Sequence, residues 1–398
     1  GRPAACLATR AVGAANLAIG IHTARQDSTP MFALVGQVDR AHQGHEAFQE
    51  IDQVATIGGL AKFAVEPRDA AAVGPAMAEA IRQALGGRPG PVLISLPEDL
   101  LDETAPDDAR VEAGRPGPAR PADGDVRAVI ELLASARRPV ILAGGGVLRA
   151  RTSTDLLRFA DLLQVPIVAA WRRADVVSND HPLYLGMAGL GAASTVRQRL
   201  LDADAMLVIG CRLNEPTSGG DAIPGPDTRW AHVDLVPERP GGLPSAPLTI
   251  AADARAFLRA ANDRLVGKAV LDAERVRARQ AGNASDRAAW EAASTVDRDD
   301  ESWSGPGVHP GRVVATLRRV LADDAIITTD AGNFAGWAGR GFRFRKPGTF
   351  LGPTSGSMGY GLPAAIAAAL VHRDRPVVAR AGEGRLARTR AEMVTAVP

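Results

Sequence analysis

Cysteine is nearly missing from this chain. Cys6 and Cys211 are the only two in 398 residues, too few and too far apart for a disulfide framework or a cysteine metal knuckle. A charge excess of either sign is missing as well. The formal net charge is +1, which gives no reason to expect nucleic acid or an anionic membrane as partner. No apolar run approaches the roughly 18 residues that a membrane span needs, and no signal peptide precedes the first strand-like stretch. A cytoplasmic protein is expected. The chain begins without Met, inside a strand-like run, and so reads as a fragment.

What is present is ordinary for a globular protein: 46% apolar and 23% charged residues, in a chain long enough for two or three domains. Arg far outnumbers Lys, which reflects genome composition rather than function. Strand-like runs at 4–8, 30–36 and 91–96 alternate with helix-like stretches opening at 11 and covering 70–85. Pro97 is expected to stop the third run. A second alternating series occupies 123–260, with strands at 139–143, 166–169, 205–209, 231–235 and 248–250 and helices at 126–133, 156–163 and 253–264. Strands alternating with helices predict parallel sheets covered on both faces. Residues 103–122, rich in Pro, Gly and charge, read as a linker, and 261–305 as a charged connector with helical stretches at 271–280 and 287–293. The charge run Asp297-Arg298-Asp299-Asp300-Glu301 reads as a solvated connector rather than a site. A third unit opens near 306, with a helix at 309–321 and a strand at 325–329.

The densest chemistry lies at 353–384. A glycine-rich loop (Gly356, Gly359, Gly361) enters an alanine-rich helix at 363–371, and a strand at 376–379 runs into the turn Gly382-Glu383-Gly384. Glycines let backbone N–H groups approach a phosphate, and a helix N-terminus adds partial positive charge. A carboxylate at the tip of a turn suits Mg²⁺, which takes one or two protein carboxylates plus phosphate oxygens. Elsewhere the signals are weaker. Gly144-Gly145-Gly146 follows a strand where open parallel sheets bind ligands, but it lacks the spaced dinucleotide fingerprint. His42 and His45 stand in a loop, where solvated histidines outnumber metal pairs. The basic run 340–346 (RGFRFRK) invites a nucleic-acid reading that the net charge disfavours.

Taken together, Gly-Ser-Met-Gly-Tyr-Gly-Leu-Pro-Ala-Ala followed 25 positions after Met358 by the acid of a Gly-acid-Gly turn resembles the diphosphate half of thiamine-diphosphate enzymes, most of all the acetolactate synthase group. The resemblance implies three consecutive doubly wound parallel-sheet α/β domains: a pyrimidine-binding domain at 1–102, a middle Rossmann-like domain at 123–260 and a diphosphate-binding domain at 306–398, the first and last incomplete. It implies that Asp330, Gly332, Asn333, Gly356, Ser357, Met358, Gly382, Glu383, Gly384 and Arg385 surround the cofactor. Glu383, where the family has Asp, would ligate Mg²⁺, and Met358 would prop the bent cofactor. A gap-filling core methionine is the other reading of Met358. Arg385 stands where the family has a small residue.

The first 102 residues resemble the pyrimidine-binding half. Residues 9–17 (TRAVGAANL) match a loop that usually reads Gly-Pro-Gly-Ala-Thr-Asn-Leu, and 26–30, 36–38 and 47–50 match further blocks. Phe48 and Gln49 fall on the substrate channel, although Phe48 is equally a candidate core aromatic. The family's catalytic Glu would precede Gly1, and its second metal-site residue, an Asn, would follow Pro398, so no catalytic residue is assigned. Glu46, Glu50 and Glu66 sit on the wrong blocks. Biosynthetic synthases carry Lys ten residues after the Arg of the Arg-Pro-Gly-Pro turn; here that position is Glu98. Arg88 and, in the middle domain, Gly144, Gly145, Gly186-Met187-Ala188-Gly189 and Gly210-Cys211-Arg212 fall on the family's FAD-contacting blocks, while related decarboxylases bind ADP or nothing there.

The chemistry implied is decarboxylation of a 2-keto acid with carboligation, the cofactor serving as electron sink, in a homodimer or homotetramer. Two other readings stand beside it: a related decarboxylase of the benzoylformate or oxalyl-CoA type, which Glu98 leaves open, and a degenerate paralogue that does not catalyse. Glu is one methylene longer than Asp and Mg²⁺ tolerates little departure from octahedral geometry, so this chain is expected to turn over little or not at all.

Overall fold

The computed structural model of the chain describes residues 3–105, 117, 119–237, 245–296, 305 and 307–396. Most of the expected linker and the whole 297–301 charge run lie outside the described residues. The chain divides into two compact units, 1–117 and 118–398.

The first unit runs β1 (Ala4–Thr9), α1 (Arg10–Gln26), β2 (Met31–Gln37), α2 (Gln53–Thr56), β3 (Phe63–Val65), α3 (Ala70–Leu85) and β4 (Pro91–Pro97). Its four strands are all parallel, in the order β1-β2-β4-β3. Alternation along the strands serves two cores. Ala33, Val35 and Leu93 pack with Ala14 and Ile21 of α1, while Val92 and Ile94 pack with Ala80 and Ala84 of α3. Asp69 starts α3 by accepting the Ala72 N–H at 2.8 Å. Two expectations change here. Pro97 does not stop β4 but is its last paired residue, opposite Gln37. The three-residue β3, too short to show a period, completes the sheet edge.

The second unit opens with α4 (Asp123–Ser135), β5 (Pro139–Ala143), α5 (Gly145–Arg149), α6 (Ser153–Leu163), β6 (Ile167–Ala169), β7 (Tyr184–Met187), α7 (Ser194–Leu201), β8 (Ala205–Ile209), α8 (Glu215–Ser218), β9 (Arg229–Asp234), β10 (Leu248–Ala251) and α9 (Ala254–Leu265). These strands form a parallel six-stranded sheet, β10-β9-β8-β5-β6-β7. The chain continues through α10 (Ala273–Ser294), α11 (Pro310–Val320), β11 (Ile326–Thr329), α12 (Asn333–Gly341), β12 (Phe350–Leu351), α13 (Gly361–Val371), β13 (Val377–Arg380), α14 (Glu383–Thr389) and α15 (Met393–Ala396). A parallel three-stranded sheet, β12-β11-β13, results.

The two helical stretches expected within the charged connector belong to one 22-residue helix, α10, whose buried face carries Arg279, Asn283, Trp290 and Ser294. The Arg279 guanidinium donates to Leu133 O and Leu163 O at 2.6 Å each, Ala136 O at 2.8 Å and Ala134 O at 3.1 Å. It thereby closes the C-terminal ends of α4 and α6, where unpaired carbonyls and the helix dipole favour a cation. Burial pushes its pKa down to about 10, still charged at neutral pH. A continuous apolar core runs from Val126 through Leu207 and Trp290 to Ile327 and Phe350, so both sheets of this unit share it.

The loop after β6 stitches them together. Asp175, fully buried, accepts the N–H groups of Thr349 (2.8 Å) and Phe350 (3.0 Å). Asn179 accepts the Phe344 N–H at 2.9 Å and donates to Ala174 O at 2.8 Å. Around them the basic run 340–346 is built into the structure. Arg343 stacks over Trp290 at 3.9 Å, Arg345 pairs with Asp180 and Asp323 at 2.8 Å, and Phe342 and Phe344 are buried.

Candidate functional site

In the three-stranded sheet the chain leaves β11 for β12 on one side and later adds β13 on the other. Ligands of open parallel sheets bind beyond the strand C-termini at such a reversal. Two turns sit there: residues 330–333 after β11 and 381–384 after β13. They are joined by Asp330 N–H donating to Arg380 O at 3.3 Å, and by Arg385 Nε donating to Ala331 O at 2.8 Å.

The first turn needs its glycine. Gly332 has φ +149° and forms the N-cap of α12, and a Cβ there would come within 2.6 Å of the Phe334 ring and 3.2 Å of Arg385 Nη2. Asn333 opens the helix. The Asp330 carboxylate, expected among the cofactor contacts, is already engaged: Oδ1 accepts Tyr360 N–H at 2.6 Å and Gly361 N–H at 3.1 Å. Thr328 Oγ1 donates to Gly361 O at 2.7 Å from the same face of β11. Asp330 thus anchors the start of α13 to the strand through this oxygen.

The glycine-rich loop before α13 turns through left-handed Gly356 (φ +71°) and Gly359 (φ +91°). Buried Ser357 shares a 2.6 Å hydroxyl contact with Ser355. Met358 is 46% exposed, so the gap-filling core reading fails and the side chain stands free to meet a ligand.

The second turn corrects an expectation. Glu383 does not sit at the tip of a Gly-acid-Gly turn: Gly382 is an N-cap, and Glu383 and Gly384 are the first residues of α14. The Leu386 N–H reaches back to Gly382 O at 2.9 Å, which closes the first helical turn. Glu383 is exposed, and nothing crowds the Cα of Gly384 or Gly356. Among the described residues no group of three or more His, Cys, Asp or Glu gathers as a metal cage.

Arg380 was not anticipated. It ends β13 opposite Thr329, with its side chain on the face that Thr329 shares. No acceptor for its guanidinium is found among the described residues, its Nη1 is buried without a hydrogen bond, and burial lowers its pKa. An Arg closing a Val-Val-Ala run reads in sequence as a solvent-facing strand end. Arg172 went unnoticed for a similar reason: buried, with φ +62°, it directs Nη2 to Asp330 O at 3.5 Å.

In the first unit, Phe48 is 77% exposed, which excludes a core role. The strand-to-helix corner holds this loop: Arg10 Nη1 donates to Phe48 O at 3.0 Å and Ala11 N–H to Gln49 O at 3.1 Å, with Arg10 and Gln49 both at positive φ. Glu50 accepts the Gly44 and Ala47 N–H groups and Glu66 accepts Ser95 Oγ, so both acids are structural. His42 and His45 are exposed.

At the reversal of the six-stranded sheet, between β5 and β8, two glycine turns press together. Gly146 N–H donates to Gly210 O at 2.8 Å, and a Cβ on Gly144 would lie 2.3 Å from that same oxygen. Gly145 faces Arg173, and Gly186, within β7 at φ +104°, leaves room for the Trp290 ring. Arg212 follows β8, half-buried, while Arg88 lies in the first unit before β4.

This pairing of glycine turns with parallel sheets has counterparts. Three family models match in order: the N-terminal TPP binding domain of thiamine pyrophosphate enzymes over 1–56, their central domain over 126–261 and their C-terminal TPP binding domain over 330–398. The chain belongs to the thiamine pyrophosphate enzymes. Acetolactate synthases are among its relatives within that class. The probable acetolactate synthase large subunit of Methanocaldococcus jannaschii is 31% identical across 99% of this chain and 67% of its own length. The acetolactate synthase large subunit of Corynebacterium glutamicum is 31% identical across 100% and 63%, and the isozyme 1 large subunit of Escherichia coli 31% across 100% and 68%. The chain spans about two thirds of the length of these relatives. No helix among the described residues is long and apolar enough to cross a membrane.

Proposed function

We propose that this chain forms the greater part of a thiamine-diphosphate-dependent enzyme that decarboxylates a 2-keto acid and joins the product to a second carbonyl compound, in the manner of an acetolactate synthase. The observation that carries the reading is the donor set at the sheet reversal. Backbone turns at Gly332, Gly356 and Gly382, the Ser355–Ser357 hydroxyls and the guanidinium groups of Arg380 and Arg385 suit a diphosphate. The cofactor, when bound, supplies the electron sink for decarboxylation. Gly332, Asn333, Ser357, Gly382 and Arg385 hold its anionic end, and exposed Met358 packs against its rings. Glu383 offers a carboxylate to Mg²⁺. Phe48 and Gln49, fixed by Arg10, shape the approach of the keto acid.

FAD or ADP at the Gly144–Gly146 and Gly210–Arg212 turns, a homodimer or homotetramer and a cytoplasmic location belong to the same proposal; the two cysteines are free thiols. So does slow turnover, with Glu383 and Arg385 in place of the family's Asp and small residue. The decarboxylase reading keeps one observation in its favour: Glu98, where synthases carry Lys, is paired with Arg10. A panel of 2-keto acids with product identification by mass spectrometry tests the assignment. Acetolactate from pyruvate supports the synthase, and an aldehyde as sole product supports the decarboxylase. No thiamine diphosphate binding by calorimetry defeats both.

A further inference from the structure

One guanidinium group lies against the turns read above as the cofactor's anchor, and a second belongs to the last residue of the strand that leads into one of them. Arg385 is braced on two sides: Nε donates to Ala331 O at 2.8 Å, and the guanidinium lies over the Phe334 ring at 5.6 Å. Its two remaining nitrogens have no acceptor among the described residues. They lie against the glycine turns, Nη1 3.3 Å from where a Gly382 Cβ would be and Nη2 3.2 Å from that of Gly332. The fork is therefore pre-oriented, with its donors directed between the two turns. Such a fork matches phosphate geometry in a way that an ammonium does not.

Arg380 supplies the second cation. It lies two residues before Gly382, its Cα opposite Thr329 in the register, and Thr329 leads directly into the 330–333 turn. Its Nη1 is buried without a hydrogen bond, and no ion pair compensates the guanidinium among the described residues. Half-buried, with one guanidinium nitrogen fully buried and unpaired, this residue is poised for an anionic partner that the described residues do not provide. No described acid is paired with either arginine; Glu383 is exposed beside them.

We infer that this chain anchors the diphosphate mainly through Arg385 and Arg380, so that its affinity for the cofactor depends only weakly on Mg²⁺. The inference rests on the thiamine-diphosphate reading and adds the source of the compensating charge. Glu383 can still take a metal ion, but the cations built into the fold carry the larger share of the attraction.

Calorimetric titration of the chain with thiamine diphosphate, in excess Mg²⁺ and in EDTA, tests this. Chelation is expected to weaken wild-type binding by less than about tenfold, while R385S in EDTA loses about tenfold or more, as removal of a charged hydrogen-bonding group does. R385K should recover only part of the loss, because the ammonium lacks the fork. R380M gives an independent readout. Removing a half-buried, unpaired charge should raise the melting temperature of the unliganded protein, yet reduce the further rise on adding thiamine diphosphate. Wild-type binding in Mg²⁺ that vanishes in EDTA overturns the inference and leaves the cofactor reading intact, as does R385S binding as tightly as wild type in EDTA. An R380M protein with an unchanged ligand-induced rise removes Arg380 from the anchor. No binding under either condition defeats the cofactor reading itself, and the inference with it.

Discussion

Arg10 and Glu98, 88 positions apart in sequence, form an ion pair with Nη2 and Oε2 2.5 Å apart. It joins the corner at the head of α1 to the end of β4. The same guanidinium holds Phe48 O, so the pair steadies the loop carrying the two proposed channel residues. With Glu98 63% exposed, the pair itself contributes little, about 1 kcal/mol or less. E98Q is therefore expected to leave denaturant melts almost unchanged while quickening amide exchange at Ala11, whose N–H bonds Gln49 O. Unchanged exchange at Ala11 would detach Glu98 from the loop.

Asp175 should respond to pH in the opposite sense from an ion-paired carboxylate. Burial raises its pKa despite the Thr349 and Phe350 N–H groups and nearby Arg173. The folded protein then keeps this proton at pH values where the unfolded chain has lost it, so its contribution to stability falls as pH rises from about 4 through the folded pKa. D175N retains an acceptor for both N–H groups without the charge, so it should melt no lower than wild type near neutral pH and show a flatter stability profile. D175A leaves two buried N–H groups unpaired and should cost about 2–3 kcal/mol. A steeper profile for D175N would contradict the assignment.

Arg279 makes a larger claim on stability. R279M keeps the aliphatic bulk but abandons the four carbonyls at the ends of α4 and α6, and a loss of about 3 kcal/mol or more is expected in urea unfolding. R279K should fall between, since a point charge reaches fewer of these oxygens. A loss under about 1 kcal/mol would mean that water replaces the guanidinium there.

The glycines read as flavin contacts separate into two classes. G144A drives a Cβ into Gly210 O, a backbone atom that cannot yield, and should destabilise by about 2 kcal/mol or more whether or not a nucleotide is added. G145A meets only the Arg173 side chain, which can move, and should cost about 1 kcal/mol or less. Thermal melts of both variants, with and without FAD, check the distinction.

The parts legible in sequence were those whose local pattern and tertiary role coincide. Residues 139–143 and 205–209 read as strands with the bounds they have, because central strands of a covered parallel sheet are apolar throughout. β7 and β12, at Tyr184–Met187 and Phe350–Leu351, are edge strands of four and two residues, defined by their neighbours rather than by any pattern of their own. α10 read as two pieces because the face it buries is polar, with Arg279 and Asn283 inward, so no apolar period marks it. At the site, the glycines around 332, 356 and 382 announced themselves. That Asp330 would hold Tyr360 and Gly361, and that Arg380 would end its strand without a partner among the described residues, depends on contacts between segments some 30 to 50 residues apart, which spacing alone does not encode.

The shared core of the second unit sets a rule for recombining this chain with its relatives. Ile327, Phe344 and Phe350 pack in the same cluster as Leu207 and Trp290, and Asp175 reaches across to Thr349. A crossover near residue 306 would therefore make the halves of one interior come from parents that never co-adapted, and misfolding is the expected outcome even where each parental sheet is sound. Hybrid libraries that cut near residue 117, where the contacts themselves divide, should yield soluble recombinants far more often.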